Sequence, residues 1–415
     1  MACSVHPMTR FLAISCWLLA AGCAQLPDVG DSAAQEIVGM SFSAGNNVRL
    51  LQDGEATYRA MFLAIGAATD HINLESYKIE DDAVGRKLTD MLLSKRAQGV
   101  QVHVVYDSVG SIGTPRPYFE RLAAGGVKVL EFNPVNPATA KKGWLINNRD
   151  HRKLLVVDGR TAFVGGINFS RVHSGGSRAR PRGAERPAWR DTHLQIEGPA
   201  VGDFQKLFLR TWAKQKGAPL SGAQFFPASK SLGADRVRAI GSTPDDPHSL
   251  IYLALMSAIA RSQKHVYLTN AYFVPDPQFV DALTGAAGRG VDVKLLLPGE
   301  SDSGLAFHAG RSHYAALLRA GVKIYERRGA FLHAKTATID GEWSCVGSTN
   351  LDWRSFLHND EIDAAILGRD FAGQMEAAFA ADLQQSDTVD LERWNARSFQ
   401  FRLQEWAARL WEYWL

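Results

Sequence analysis

The stretch that decides the fold reads His151-Arg152-Lys153-Leu154-Leu155-Val156-Val157-Asp158-Gly159. The four apolar residues after the lysine are typical of a buried strand, and Asp-Gly at their end predicts a hairpin turn into residues 161–164. Residues two apart on a strand share a face, so His151 and Lys153 are predicted to point the same way. The stretch therefore presents a histidine and a lysine side by side at the start of a hairpin.

A second copy of this stretch reads His333-Ala334-Lys335-Thr336-Ala337-Thr338-Ile339-Asp340-Gly341. Both copies have the form H-x-K-x4-D. Each copy continues into a matched tail, Gly-Gly-Ile-Asn ending at Asn168 and Gly-Ser-Thr-Asn ending at Asn350, at the same distance from its aspartate. Two motifs with the same extension are hard to produce by chance, so the chain is predicted to consist of two homologous halves.

Further landmarks recur in the same order in both halves. Strand-like runs at 71–75, 99–105 and 126–129 correspond to runs at 265–269, 290–297 and 321–324. Apolar residues recur at helical spacing between them: Val84, Leu88, Met91 and Leu92, then Phe279, Leu283 and Ala287. Asp82 and Asp276 stand where the helices should begin, as caps, and Gly99 and Gly290 where they should have ended. Helices alternating with short strands predict an α/β fold of two homologous halves with mixed, largely parallel sheets.

The predicted organisation has five parts. Residues 1–23 form an export signal, 40–216 the first half with its motif at 151–168, 217–247 a linker rich in Gly, Ser, Pro and Asp, 248–385 the second half with its motif at 333–350, and 386–415 an aromatic C-terminal segment. The last segment suits either a membrane interface or a helix that caps the core. The arginine-rich stretch 174–187 is predicted to be either a basic loop beside anionic headgroups or a solvated loop.

The N-terminus is predicted to direct export. The apolar run 11–21 is too short to span a bilayer but fits a secretory signal. Leu19-Ala20-Ala21-Gly22-Cys23 resembles a bacterial lipoprotein box, although Ala20 stands where leucine is commoner. We expect Cys23 to be the lipidated first residue of a membrane-anchored periplasmic protein. The alternative is a plain cleaved signal with an incidental cysteine.

Composition limits the partners and cofactors. The formal net charge of +3 is too small to indicate nucleic acid or acidic lipid, so partners have to be inferred from local features. The sequence holds four cysteines and no Cys-x-x-Cys or His/Cys cluster with zinc spacing, so neither a metal nor another cofactor is predicted. Cys345 lies in an apolar run and is expected to be a buried small hydrophobe.

The paired motifs contain the groups that phosphodiester cleavage needs. Two histidines can supply a nucleophile and a proton donor. Two lysines with Asn168 and Asn350 can place positive charge and amide donors on the nonbridging oxygens without a metal. The glycines and Ser348 of the tails allow close approach to phosphate. Asp158 and Asp340 belong to the motifs and to the candidate site, but each precedes glycine, which favours a turn-forming role.

These motifs resemble those of the phospholipase D superfamily. The segments 148–153, 271–276 and 350–355 resemble its cardiolipin synthase branch, and the resemblance covers residues 45–415. It implies an active site at the interface of the two halves, with a phosphatidyl-histidine intermediate. His151 is then the nucleophile and His333 the acid and base, an assignment that follows the commoner family pattern. The resemblance also implies carboxylates that orient the histidines, at Asp191 and Glu361, whose plainer interpretation is surface charge at strand ends.

The expected function is a phosphatidyltransferase that makes cardiolipin from phosphatidylglycerol. The alternatives are a phospholipase D-type hydrolase or an exported nuclease with the same residues, in which water is the acceptor. A non-enzymatic lipid-binding scaffold is disfavoured because both motifs are intact. The expected partners are a phospholipid substrate and a membrane surface, without nucleic acid. No obligate oligomer is needed, because one chain carries both motifs.

Overall fold

The computed structural model describes residues 41–136, 145, 147–175, 188–246 and 248–415. The predicted signal and Cys23 lie outside the described residues, as do positions 176–187 of the arginine-rich stretch. Among the described residues, every helix is too short or too polar to span a bilayer.

The strands and helices alternate along both halves. The strands are β1 Ser43–Gln52, β2 His71–Ser76, β3 Gln101–Asp107, β4 Lys128–Phe132, β5 Arg149–Asp150, β6 Lys153–Val157, β7 Thr161–Gly165, β8 Thr192–Glu197, β9 Asp235–Ser242, β10 His265–Thr269, β11 Phe273–Val274, β12 Asp292–Pro298, β13 Lys323–Arg327, β14 Thr336–Ile339, β15 Trp343–Gly347, β16 Leu351–Asp352, β17 Asn359–Leu367 and β18 Ser386–Thr388. The helices are α1 Asp53–Ala67, α2 Ala83–Ala97, α3 Arg116–Ala124, α4 Val201–Lys214, α5 Leu250–Arg261, α6 Pro277–Gly288, α7 Gly304–Arg311, α8 Tyr314–Arg319, α9 Trp353–Leu357, α10 Arg369–Leu383, α11 Leu391–Asn395 and α12 Phe399–Arg409. Short 3₁₀ turns follow at Arg171–His173 and Glu412–Trp414.

One mixed sheet runs through both halves of the described chain, in the order β18-β13-β12-β10-β14-β15-β17-β9-β1-β8-β7-β6-β2-β3-β4. In the first half β2, β3 and β4 pair in parallel, while β2, β6, β7, β8 and β1 pair antiparallel. The second half repeats this order with β10, β12 and β13 parallel and with β10, β14, β15, β17 and β9 antiparallel. The predicted α/β fold with two homologous halves is confirmed. Parallel pairing is less extensive than predicted, because each motif strand is one arm of an antiparallel hairpin.

The segment predicted as a linker contains β9, the first strand of the second half. β9 pairs with β17 from Ser242–Glu361 to Arg236–Leu367, and with β1 at Ser43 and Asn46. It therefore occupies the place that β1 has in the first half and joins the two parts of the sheet. The Gly, Ser, Pro and Asp residues around β9 give the whole segment the composition of a loop, which is why the strand was not predicted. Within the strand, Val237 and Ile240 are buried.

The motif strand β6 is buried on both faces. Leu155 and Val157 pack in the outer core of the first half, beneath α1, α2 and α3. Leu154 and Val156 pack on the other face with α4 of the first half and α10 of the second. This second cluster also contains residues of β15 and β17, so the two halves share one apolar core. The helix caps agree with prediction, since Asp82 and Asp276 each accept two backbone N–H groups at the starts of α2 and α6.

Asp158 and Asp340 are the turn residues of the two motif hairpins. Both have left-handed backbone, with φ of 53° and 57°, and the glycine that follows each also has positive φ. The Asp158 carboxylate accepts hydrogen bonds from the backbone N–H groups of Thr69, Asp70 and His71. Asp340 does the same with residues 263–265. These carboxylates fasten each hairpin to the start of the neighbouring strand, which is the predicted structural role.

We predict that Asp158→Ala lowers the free energy of unfolding by about 2 kcal/mol, because it removes charge-assisted hydrogen bonds and a residue that tolerates positive φ. Asp158→Asn should cost less. Burial raises the pKa of Asp158, but the hydrogen bonds from Asp70, Thr69 and His71 outweigh burial and leave this pKa below its ordinary value.

A carboxyl group with a lowered pKa contributes its stability above its ordinary pKa and loses it as pH falls. The difference in the free energy of unfolding between the wild type and Asp158→Asn should therefore become smaller as the pH is lowered. Urea unfolding at several pH values measures it, with the exposed Asp281→Ala as control. Equal stability of wild type and Asp158→Ala at neutral pH would contradict this role.

Candidate active site

Each motif histidine is anchored through its backbone to the other half. The N–H of His151 donates to the carbonyl of Asp360 at 2.9 Å, and β5, just before it, pairs in parallel with β17. Reciprocally, the N–H of His333 donates to the carbonyl of Arg190 at 2.8 Å. The motif histidines therefore lie where the two halves meet.

The side chains of the histidines cross the same interface. The Nδ1 atom of His151 lies 3.0 Å from both carboxylate oxygens of Glu361. The Nδ1 atom of His333 lies 2.7 Å from Oδ2 of Asp191. Both carboxylates are fully buried. Each of the two carboxylates that the family pattern indicates thus contacts the histidine of the opposite half, and the Nε2 atom of each ring is left for a ligand.

Additional donors hold the Glu361 carboxylate. Ser348 donates its hydroxyl hydrogen to Oε2 at 2.5 Å, and Asn359 donates to Oε1 at 3.2 Å. The backbone N–H of Ser348 donates to the carbonyl of Ile362. Ser348 was predicted to contact phosphate, but its polar atoms are directed to β17. It supports the carboxylate, and the histidine through it.

In the first half the position equivalent to Ser348 is Gly166. A Cβ atom there would lie 2.1 Å from Oδ1 of Asp191, so only glycine leaves room for this carboxylate. The two halves therefore reach a similar arrangement with different residues, Ser with Glu in one and Gly with Asp in the other.

The motif lysines are buried next to the backbone of the histidines. The Nζ atoms of Lys153 and Lys335 donate to the backbone carbonyls of His151 and His333, respectively. Burial lowers the pKa of Lys153 to about 7, and it lowers the pKa of Lys335 to about 8. Asp191 and Glu361 oppose the fall for both lysines. The two ammonium groups are thus poorly solvated, and a phosphodiester anion bound in the site would stabilise their charge.

Burial also lowers the pKa of both histidines well below the ordinary value, and Lys153 and Lys335 lower it further. A lowered pKa keeps the ring neutral at pH 7, which is the form that acts as a nucleophile. Burial raises the pKa of Glu361 to about 7, against the opposing charge of Lys153. The pKa shifts of Glu361 and of the two lysines bring these groups to where they exchange protons near neutral pH.

A cavity of about 370 Å³ opens onto the two histidines. Asn168 and Asn350 line it as well. Asn168 uses Oδ1 to accept from the N–H of Lys78, which leaves its amide hydrogens for a ligand. Lys78 and Arg149 add positive charge to the lining. Asp158 and Asp340 do not reach this cavity, because they lie at the far ends of the motif strands.

Three lining or neighbouring residues were not predicted. The Tyr77 ring lies 5.0 Å from the ring of His151, and the Trp189 ring lies 5.1 Å from that of His333. Behind them, the buried ring of His173 lies 5.4 Å from His333, and its Nδ1 is 3.6 Å from Asp191. Single aromatic residues and a lone histidine carry no spacing signal in the sequence, although Trp189 stands two residues before Asp191.

His173, Asp191 and His333 place three metal-ligating atoms within 4.8 Å of one another. Within the described ranges this is the group that could hold a metal ion. Asp191 and His333 already bind each other there, and the metal-free site remains a prediction. Cys345, buried as predicted, lies away from the cavity and contacts Asp363.

Comparison with known proteins supports the same family as the motifs. Residues 61–174 and 255–383 match the family described as "Cardiolipin synthase, PLD-like domain". The chain is 34% identical to a cardiolipin synthase of Halalkalibacterium halodurans, over 91% of this chain and 74% of that protein. It is 38% identical to cardiolipin synthase A of Pseudomonas entomophila, over 84% of this chain and 71% of that protein.

Solved structures show the same fold. The match to a phosphatidylserine synthase from Haemophilus influenzae covers 92% of this chain and 99% of the synthase chain. Its TM-score is 0.68 and its sequence identity 12%. The match to a polyphosphate kinase from Porphyromonas gingivalis covers 83% of this chain and 49% of the kinase chain. Its TM-score is 0.57 and its sequence identity 10%. With the family match over more than half of its length, the chain belongs to the cardiolipin synthase family of phospholipase D-like enzymes.

Proposed function

We propose that this enzyme makes cardiolipin from phosphatidylglycerol by transphosphatidylation. The observation that carries the proposal is the pair of histidines on one cavity, each bound at Nδ1 by a buried carboxylate of the other half. Relatives named cardiolipin synthases match most of the chain, which supports a lipid alcohol as the acceptor.

In the first step the neutral His151 attacks the phosphorus of one phosphatidylglycerol through Nε2. With the phosphodiester anion bound, His333 is in its imidazolium form, which the anion and the Asp191 carboxylate at Nδ1 stabilise. The bond from phosphorus to the glycerol headgroup breaks, and the departing oxygen takes the Nε2 proton of this imidazolium. Charge that develops on the nonbridging oxygens is stabilised by the lysines and by the amides of Asn168 and Asn350. Glu361 stabilises the positive charge that His151 acquires.

In the second step the hydroxyl of another phosphatidylglycerol loses its proton to His333. Its oxygen attacks phosphorus, the phosphorus–nitrogen bond breaks, and His151 leaves as a neutral ring. The product is cardiolipin and both histidines regain their starting state. Water in place of the second lipid would give phosphatidic acid from the same residues, so product analysis separates the two reactions.

We predict that the purified protein converts labelled phosphatidylglycerol into cardiolipin and free glycerol. Added glycerol should lower the yield, because it competes as acceptor and regenerates phosphatidylglycerol. His151→Ala and His333→Ala should each reduce the rate by at least about 10³-fold, since a nucleophile or an acid and base is lost. His248→Ala, an exposed histidine, is the matched control. Phosphatidic acid as the sole product would contradict the transferase, and full activity of either variant would overturn the site assignment.

We predict that kcat/KM falls as pH rises, because the free enzyme loses the His333 proton at lower pH, and that the fall becomes steeper through about 7 to 8, where the pKa values of Lys153 and Lys335 lie and these lysines lose their charges. A bound phosphodiester anion favours the protonated lysines, so the fall in kcat should occur at higher pH than that in kcat/KM. Initial rates at saturating and limiting lipid between about pH 5.5 and 9.5 measure both profiles. A kcat/KM that stays constant across the alkaline range would contradict phosphate binding by these lysines.

We further propose export and attachment to a membrane through lipid on Cys23, in the periplasm. The support is the sequence 19–23 and the lipid nature of the substrate. Mass spectrometry of the protein from its native host should show a diacylglyceryl-modified cysteine at the mature N-terminus. An unmodified chain that retains residues 1–22 would contradict this, as would cleavage at another position.

A further inference from the structure

The last helix, α12, and Leu410, which follows it with helical backbone, expose large apolar side chains. Phe399, Leu403, Trp406 and Leu410 are 75, 50, 62 and 65% exposed. Their spacing of four, three and four residues puts them within about 60° of one another around a helix. They form one continuous row, which we call the apolar stripe. Exposed apolar side chains are common singly, but a row of large ones on one helix face marks a binding surface.

The opposite face of α12 attaches the helix to the protein over its second half, while Phe401 in the first turn of that face is 54% exposed. The buried residues of this helix are Glu405 and Ala408. Ala408 packs against Val274 and helix α7, and Glu405 forms an ion pair with Arg397 at 2.7 Å. This is the reverse of a helix that serves the core, in which large apolar residues face inward. The structure therefore argues against the alternative that the aromatic residues of α12 merely cap the core.

The apolar stripe lies on elements that also form the catalytic cavity. After α12 the chain turns at Glu412–Trp414, and Trp414 and Leu415 line the cavity that contains the two histidines. Helix α7, against which α12 packs, contributes Ala306 to the same lining. A ligand or surface that binds to the apolar stripe would therefore lie close to the cavity.

The exposed charges beside the stripe are positive, although Arg409 also lies 3.8 Å from the partly buried carboxylate of Glu412. Arg402 and Arg409 are exposed and lie about one quarter-turn from it on the helix. Trp411, just beyond the helix, is also exposed. Aromatic side chains with flanking arginines suit the level of phospholipid headgroups, where the rings meet the acyl boundary and the guanidinium groups meet phosphates.

We propose that the apolar stripe of α12 docks the enzyme on an anionic phospholipid bilayer and brings the cavity to its lipid substrate. The proposal rests on the lipid substrate of the proposed function. It is independent of Cys23, because it concerns how the folded domain lies on the surface. A second copy of the chain would also cover an apolar row, but it would not explain the adjoining cavity and arginines.

The test uses a stripe variant, Leu403→Ser with Trp406→Ser and Leu410→Ser. Its matched control replaces three exposed apolar residues elsewhere, Leu63→Ser with Phe226→Ser and Leu232→Ser. Cardiolipin formation is measured on phosphatidylglycerol vesicles and on short-chain phosphatidylglycerol dispersed as monomers. Flotation with the same vesicles measures binding without turnover.

We expect the stripe variant to lose about tenfold or more in rate on vesicles and to float less, since buried apolar area drives interfacial binding. Its rate on dispersed lipid should stay within about twofold of the wild type, and the control variant should resemble the wild type in every assay.

Unchanged flotation and vesicle rate would overturn the proposal. Equal losses on both substrates would also overturn it, since the helix would then support the cavity. A wild-type dimer that the stripe variant dissociates without lipid, with unchanged flotation, would assign the row to a second copy. If the wild type turned over neither lipid, the proposed function would fail, while flotation would still decide the docking surface.

Discussion

The crossed contacts between His151 and Glu361 and between His333 and Asp191 are the constraint on which the rest of the structure depends. A carboxylate buried without a partner is costly, and each half buries one whose histidine partner belongs to the other half. Neither half can form its own site, because the motif of one supplies the histidine and the other supplies the group that orients it. The shared core and the pairing of β1 with β9 therefore belong to the catalytic arrangement as much as to the fold.

Buried arginines next to the site residues strengthen this dependence. Arg152 follows His151 and donates to the carbonyl of Glu361 and to the hydroxyl of Thr211, on helix α4. Arg190 precedes Asp191 and forms an ion pair with Asp382 on helix α10 of the other half at 2.8 Å. A buried charge that loses its partner costs several kcal/mol, so these pairs hold the two halves in one register. The histidines thus sit on rigid supports, which is what a displacement at phosphorus requires.

The sequence could predict whatever depends on local spacing. Alternation, the Asp-Gly turns and the matched tails indicated the hairpins, the two halves and the four motif side chains, and the family pattern indicated both carboxylates. The sequence could not show that each carboxylate binds the histidine of the other half, because residue spacing within one half carries no information about contacts with the other half. Strand β9 was not predicted, because the residues around it have the composition of a loop. Tyr77, Trp189 and His173 reach the site only through tertiary packing. Ser348 was assigned to phosphate because the motif places a hydroxyl near it, whereas a buried carboxylate is the acceptor it meets.

The most direct measurement is a rapid acid-free quench of the enzyme during turnover of phosphatidylglycerol labelled at phosphorus, followed by mass spectrometry of its peptides. The two-histidine account predicts protein-bound label on the peptide that contains His151, absent from His151→Ala and released when a second phosphatidylglycerol is added. Label on His333 would reverse the roles of the two halves. Turnover without any protein-bound label, under conditions that trap phosphohistidine, would contradict the covalent route itself.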